Sequence, residues 1–378
     1  MKKIVLPLLL LLSLSAIAQK EYYLVVGTYT SGDSKGIYVY RFNAETGEAT
    51  LVSETETSNP SYLAISPDQR FVYAVNENDD STMYTTGGSI AAFSFDKQSG
   101  KLSAINKQYS GGKHPCYVSI DKTGKWVFAG NYSSGSVAVL PVKANGGLDS
   151  ATQVIEHAGY SVNEDRQKGP HVHATVLSKD NKFLFVPDLG IDKVMIYAFD
   201  QKSGKLSEAE APYEITEAGA GPRHFEFHPN GNYAYLIEEL TGSISVYNYN
   251  KGRIDLLQNV SALPGVYSGP VGSADIHISP DGKFLYASNR GESNTIGIFS
   301  IDKAGRLAPV DHVSTQGKTP RNFNFDPSGN YLLVANQNSN EIVIFRRDKK
   351  SGMLTDTGKR IAVSKPVCIK WISASGKR

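Results

Sequence analysis

The residues best suited to chemistry in this chain sit at two matched positions of a repeating unit. The first position reads Ser61, Cys116, His171, Arg223, Ala274, Arg321 and Val367; the second reads Glu77, Tyr132, Leu189, Glu239, Arg290 and Gln337. Both columns mix opposite charges with neutral residues, which packing alone does not call for. Brought together, His171, Arg223, Glu239, Arg290 and Arg321, with Glu77 nearby, form a cationic pocket holding carboxylates and an imidazole. Such a set can deprotonate a water through Glu239 or a neutral histidine. It can also offer guanidinium donors to a substrate anion or a developing oxyanion. Counting back from the turn replaces His171 by His173, because that copy carries two extra residues. The two histidines alternate along an extended segment, and no third ligand accompanies them at zinc-like spacing, so no metal is expected. A neighbouring column, Asn76, Asn131, Asp188, Glu238, Asn289 and Asn336, is nearly uniform and reads as structural, its side chains tying loop to backbone. Asp188 and Tyr132 stand beside the pocket positions and join Arg321 and Glu77 as candidate substrate contacts.

The elements that must position these residues come from the repeat itself. Pro-x-x-(apolar)-x-(apolar)-x, a turn rich in Pro, Asp, Asn and Gly, and an aromatic-apolar-aromatic run ending in Asn, Asp or Glu return about every fifty residues. The copies begin at Pro60, Pro115, Pro170, Pro222, Ser273, Pro320 and, truncated, Pro366. An offset series of polar turns, from NAETGEATL (43–51) to DKKSGML (348–354), also has seven members. A long period built of short alternating strands marks a radial β architecture. The spacing predicts four strands per unit, for instance 60–66, 70–76, 89–95 and 102–109. Residues 22–58 contain strands with no Pro-led inner strand ahead of them, and 365–372 is an inner strand with nothing after it. Joining the ends completes a seventh blade and removes both free sheet edges. The expected fold is all-β: a seven-bladed propeller, its pocket at one mouth of the central channel.

No composition break interrupts the repeat, so 19–378 reads as a single domain. Residues 1–18 differ: Met1-Lys2-Lys3, an apolar run too short to span a bilayer, and Ala16-Ile17-Ala18 have the form of a secretory signal peptide. The expected location is therefore outside the cytoplasm, periplasmic or secreted. Without Lys2 and Lys3 the chain carries 37 basic and 37 acidic residues, which gives no reason to expect nucleic-acid or membrane partners. Cys116 and Cys368 fall on inner strands of non-adjacent blades and read as buried thiols. No GxSxG, HExxH, phosphate-cradling loop or CxxC occurs.

Residues 22 to about 372 resemble the lactonase family of seven-bladed propellers, which includes the bacterial propeller-type 6-phosphogluconolactonase and carboxy-muconate cyclase. The resemblance rests on GTYTSGDSKGIYVYRFNAETG, GPHVH…VPDLGIDKV, GPRHFEFHPNG…EEL and SPDGKFLYASNRG. It implies a hydrolase of sugar-acid lactones that needs no cofactor, with His171 or His173, Arg223, Glu239 and Arg290 as the catalytic set. The family reaction on a phosphorylated lactone is cytoplasmic, whereas the leader points outward and favours an unphosphorylated one. A non-enzymatic propeller binding a carbohydrate or protein on the same face is the alternative, and a cyclase acting on an unsaturated dicarboxylate is a third.

Overall fold

The computed structural model describes residues 21–81, 86–265 and 267–374, so the leader expected at 1–18 lies outside the described residues. The architecture is seven four-stranded antiparallel sheets, with no helix among the described residues. Blades 2 to 7 have inner strands Leu63–Ile65, Pro115–Ile120, Val176–Leu177, Pro222–Phe227, Ser273–Ile278 and Pro320–Phe325. Blade 1 takes its inner strand, Pro366–Ser373, from the chain's end and its other three, Glu21–Thr28, Gly36–Asn43 and Glu48–Glu56, from the start. The seam runs from Tyr22 opposite Ser373 to Thr28 opposite Pro366.

Position within a blade decides the sequence of each strand. The second strands lie between neighbouring blades and are almost wholly buried, as in Phe284–Asn289 and Tyr331–Asn336. They therefore read as unbroken apolar runs, and each fully buried Val, Leu or Phe contributes about 1.5–3 kcal/mol. Outer strands such as Leu206–Ile215 alternate between half-buried and exposed, because one face meets water. Adjacent blades are keyed at the hairpin glycines. Gly252 has φ 88°, and a Cβ there would lie 2.3 Å from the Phe183 ring; Gly146 has φ 84° and meets Phe71 in the same way. Only glycine satisfies both the left-handed backbone and the aromatic contact.

In blades 2 and 3 the first turn is closed by one side chain. Ser66 Oγ accepts the amides of Arg70 (3.2 Å) and Phe71 (2.9 Å), and Asp121 Oδ1 accepts those of Lys125 (2.8 Å) and Trp126 (3.0 Å). The Asn members of the column staple their second strands to the preceding blade. Asn131 donates to Ser110 O (2.9 Å), Asn289 to Ala262 O (2.7 Å) and Asn336 to Thr315 O (3.0 Å).

Five inner strands begin at their predicted landmarks, and two enter the sheet later than the spacing predicts: blade 2 at Leu63 and blade 4 at Val176. The chain is bent at the inner-strand entries. Asn59, His114, Gly221, Thr319 and Lys365 all have positive φ, and the ladder slips between Pro115 and Tyr117, Pro222 and His224, and Pro320 and Asn322. Cys116, Arg223 and Arg321 are the residues left out of register. A bulge of this kind turns one side chain away from the pleat, here toward the channel.

Candidate active site

The bulged column and the residues that end the second strands meet at one mouth of the channel. Tyr29, Glu77, Cys116, Tyr132, Arg166, His173, Glu239, Arg290 and Arg321 enclose a cavity of about 340 Å³. The carbonyl ahead of each bulge fixes the second column. Glu77 N donates to Asn59 O (3.1 Å), Glu239 N to Gly221 O (2.7 Å), Arg290 N to Gly272 O (3.2 Å) and Tyr29 N to Lys365 O (3.0 Å).

Glu239 is the hub. Its Oε2 receives Arg223 Nε (2.8 Å) and Arg290 NH2 (2.9 Å), and its Oε1 receives Arg166 NH2 (2.8 Å). Burial works to raise the Glu239 carboxyl, but the Arg290, Arg223 and Arg166 guanidiniums hold it well below the usual carboxylate range. Both Glu239 oxygens are taken by guanidiniums, so a water would have to displace one of them to reach the carboxylate expected as base. Arg223 lies beneath the cavity, 1 % exposed. Its NH1 donates to Ala274 O and approaches His224 Nε2 (3.3 Å). Arg290 also donates to Gly272 O (2.8 Å), and burial, with Arg223 and Arg321, pulls its pKa to about 10, leaving it a cation at neutral pH.

Arg321 differs from the other guanidiniums. It lies over the Tyr29 ring, 5.4 Å from the centroid, and among the described residues makes no hydrogen bond or ion pair. Glu77 accepts from Tyr29 OH (2.9 Å) and from Ser61 Oγ. The wall therefore presents one cation with its donors free.

The two histidines separate. Val172, not Pro170, pairs with Asp188, so His173 takes the bulge position and His171 the residue two before it. His173 is buried on the cavity wall; burial first, then Arg223 and His224, push its pKa well below that of ordinary histidine. It is a neutral imidazole, its Nδ1 3.8 Å from Cys116 Sγ. His171 is not among the residues that line the cavity; it stacks 4.4 Å from Tyr132, with its Nδ1 3.0 Å from Tyr132 O. Burial pushes the Cys116 thiol up, which removes it as a nucleophile; Cys116 and Cys368 are both buried free thiols. Asp188 stands behind the wall rather than on it. Its oxygens accept His157 Nδ1 (2.6 Å) and the amides of His171 (2.6 Å) and Gly190 (3.0 Å), making it a staple between blades 3 and 4.

Two residues of the wall escape the column reading. Tyr29 is the second-column member of blade 1, and extending the column into the leading half-blade finds it. Arg166 comes from the segment between blades 3 and 4, outside the repeat. Its NH2 bridges Glu239 to Tyr132 OH (3.0 Å), and Gln167 fixes it by bonding Leu189 O (2.9 Å) and Asp192 Oδ1 (2.8 Å). Among the described residues, no group of three or more His, Cys, Asp or Glu is placed to hold a metal ion.

The sequence matches the family described as lactonase, 7-bladed beta-propeller, over residues 23–371. It is 40 % identical to the 6-phosphogluconolactonase of Formosa agariphila, covering 90 % of this chain and 96 % of that one. Identity to the 6-phosphogluconolactonase of Bacillus subtilis is 36 %, over 93 % and 99 % of the two chains. Among solved structures, the periplasmic gluconolactonase of Pseudomonas aeruginosa superposes with a TM-score of 0.89 at 39 % identity, covering 94 % of this chain and all of the other. A matched family over nearly the whole described length, relatives covered end to end and the seven-bladed disc agree: the chain belongs to the lactonase family of seven-bladed β-propellers.

Proposed function

We propose that the protein hydrolyses a sugar-acid lactone in the cavity at this channel mouth. The observation that carries the reading is the Arg321 guanidinium, its donors unused, on the same wall as the neutral imidazole of His173. A water between His173 and the substrate attacks the lactone carbonyl carbon, and its proton passes to the imidazole. The carbonyl oxygen gains the charge and is held by Arg321. The ring C–O bond then breaks, and the alkoxide leaves as a hydroxyl by taking the proton back from the imidazolium. Glu239 offsets the imidazolium charge and keeps Arg166 and Arg290 oriented. The cavity suits a single hexonolactone ring. Arg166, at the open rim with 41 % of its side chain exposed, can contact the substrate's outer hydroxyls or a phosphate.

Kinship with a periplasmic gluconolactonase and the apolar leader of residues 1–18 support export and an unphosphorylated substrate. Turnover of glucono-δ-lactone and its 6-phosphate by the purified protein, corrected for spontaneous opening, tests the reading. Arg321→Ala should cost about 2–4 kcal/mol in kcat/KM on whichever lactone is used. Arg166→Ala should discriminate strongly against the phosphorylated lactone only if Arg166 holds the phosphate. A wild-type rate no higher than the spontaneous one on both lactones overturns the proposal.

A further inference from the structure

The other mouth of the channel holds a second cavity, of about 500 Å³, larger than the first. The two are not continuous. Between them lies a void of about 10 Å³, lined by Tyr62, His173, Arg223, His224 and Arg321 among others, room for one water at most. Nothing the size of a sugar passes through, so the second chamber is a separate compartment reached only from its own side.

Its lining has a different chemistry. The first cavity is walled by guanidiniums, carboxylates and hydroxyls. The second has an apolar side made by Ile120, Val176, Leu177 and Phe227, and a rim carrying Lys122, Lys179 and Lys370. Among the described residues, none of these ammonium groups is ion-paired. Lys122 donates to Lys179 O, Lys179 to Pro229 O (2.8 Å), and Lys370 to Tyr62 OH (3.3 Å) while lying 4.4 Å from that ring's centroid. The carboxylates beneath are already engaged. Glu226 accepts His277 Nδ1 (2.7 Å) and the amide of Ile278 (3.2 Å); Asp275 accepts His224 Nδ1 (2.7 Å) and Asn322 Nδ2. Both acids face imidazoles, and Asp275 and His277 hold each other charged. The three ammoniums and the His277 imidazolium outnumber the Asp275 and Glu226 carboxylates, so the mouth stays net positive even with Glu226 near Lys179.

We infer that this mouth is a second ligand site, taking a small organic anion whose carboxylate meets the lysine rim while an apolar body lies against Ile120, Leu177 and Phe227. A sugar acid, hydroxylated on all sides, suits the polar first cavity; an apolar acid suits this one.

Benzoate supplies both features and inorganic phosphate only the charge. Calorimetric titration of the purified protein with benzoate should show saturable uptake of one equivalent. The double variant Lys179→Gln/Lys370→Gln should bind benzoate about tenfold more weakly or worse, while Arg321→Ala, in the other cavity, changes the affinity less than about twofold. Lactone turnover by the lysine variant should match wild type, which also certifies its fold. Phosphate should bind about tenfold more weakly than benzoate. Absence of saturable uptake, an affinity indifferent to the two lysines, loss of binding in Arg321→Ala, or phosphate binding as tightly as benzoate would each overturn the assignment.

Discussion

At the scale of the residue, the site turns on which group can take a proton. Glu239 is the acid of the GPRH…EEL segment, yet three guanidiniums engage it and occupy three of its four lone-pair sites. Replacing it by Gln leaves cations without their counter-charge at a buried position, which typically costs 3–5 kcal/mol when a buried pair is broken. The expected outcome for Glu239→Gln is a destabilised protein with a raised KM, read from denaturant unfolding and kinetics together. His173→Asn, by contrast, should leave stability and KM near wild type and lower kcat by about 10²–10⁴-fold, the range for loss of a general base. The pH profile separates the roles further. Burial and the neighbouring cations hold His173 well below 6.5, so it stays neutral on acidification past the point where a free histidine protonates. The acid limb of kcat/KM should lie well below pH 6.5, and a half-maximal rate at that pH would rule His173 out as the base.

At the scale of the element, the staples between blades show what a register error costs. Four members of their column are Asn and donate to a backbone carbonyl or a hydroxyl of the preceding blade; Asp188 does the same work through His157. Glu238 breaks the series. It is fully buried, accepts only Ser245 Oγ (2.9 Å) at Oε1, and its Oε2, like Thr216 Oγ1, has no partner among the described residues. Burial, with Glu217 and Asp192 nearby, raises its pKa to about 7. An acid raised above its unfolded value binds more protons when folded, so it costs stability as pH climbs from about 4.5 through 7. Glu238→Gln should therefore stabilise by about 1–3 kcal/mol at pH 8 and by little at pH 5, measured by chemical denaturation at both. Much of the site was legible because the repeat puts equivalent residues in columns: Glu77, Tyr132, Glu239, Arg290 and Arg321 all reach the cavity wall. The choice between His171 and His173 needed the bridge from Val172 to Asp188, since a proline landmark and a turn landmark disagree by two residues. Arg166 was not legible, because a residue outside the repeat belongs to no column. Nor was the ion-pair network of Glu239, whose partners come from three separate segments.

At the scale of the whole molecule, closure is a matter of eight residues. Pro366–Ser373 buries Val367, Cys368, Ile369 and Ile372 and supplies the inner strand that blade 1 lacks. Each such aliphatic side chain contributes about 1.5–3 kcal/mol, so its loss rivals the 5–15 kcal/mol by which a domain is usually stable. A chain ending at Lys365 should lose its cooperative melt and bind a hydrophobic dye. A separately made peptide spanning 363–378 should restore the melt in proportion to its concentration. The seam also sets where the ends leave. Tyr22 lies opposite Ser373 at the end of the ladder remote from Thr28 and Pro366, and Tyr29, next in the chain, lines the Arg-rich cavity. Tyr22 and Ser373, near the two ends of the described chain, thus lie on the face away from that cavity. A purification tag, a fusion partner or a tether to a solid support joined just before Glu21 or just after Ala374 should therefore not shade that cavity. A short linker between the two ends would let the chain be reopened at a hairpin tip, giving a circularly permuted lactonase with its pocket unaltered.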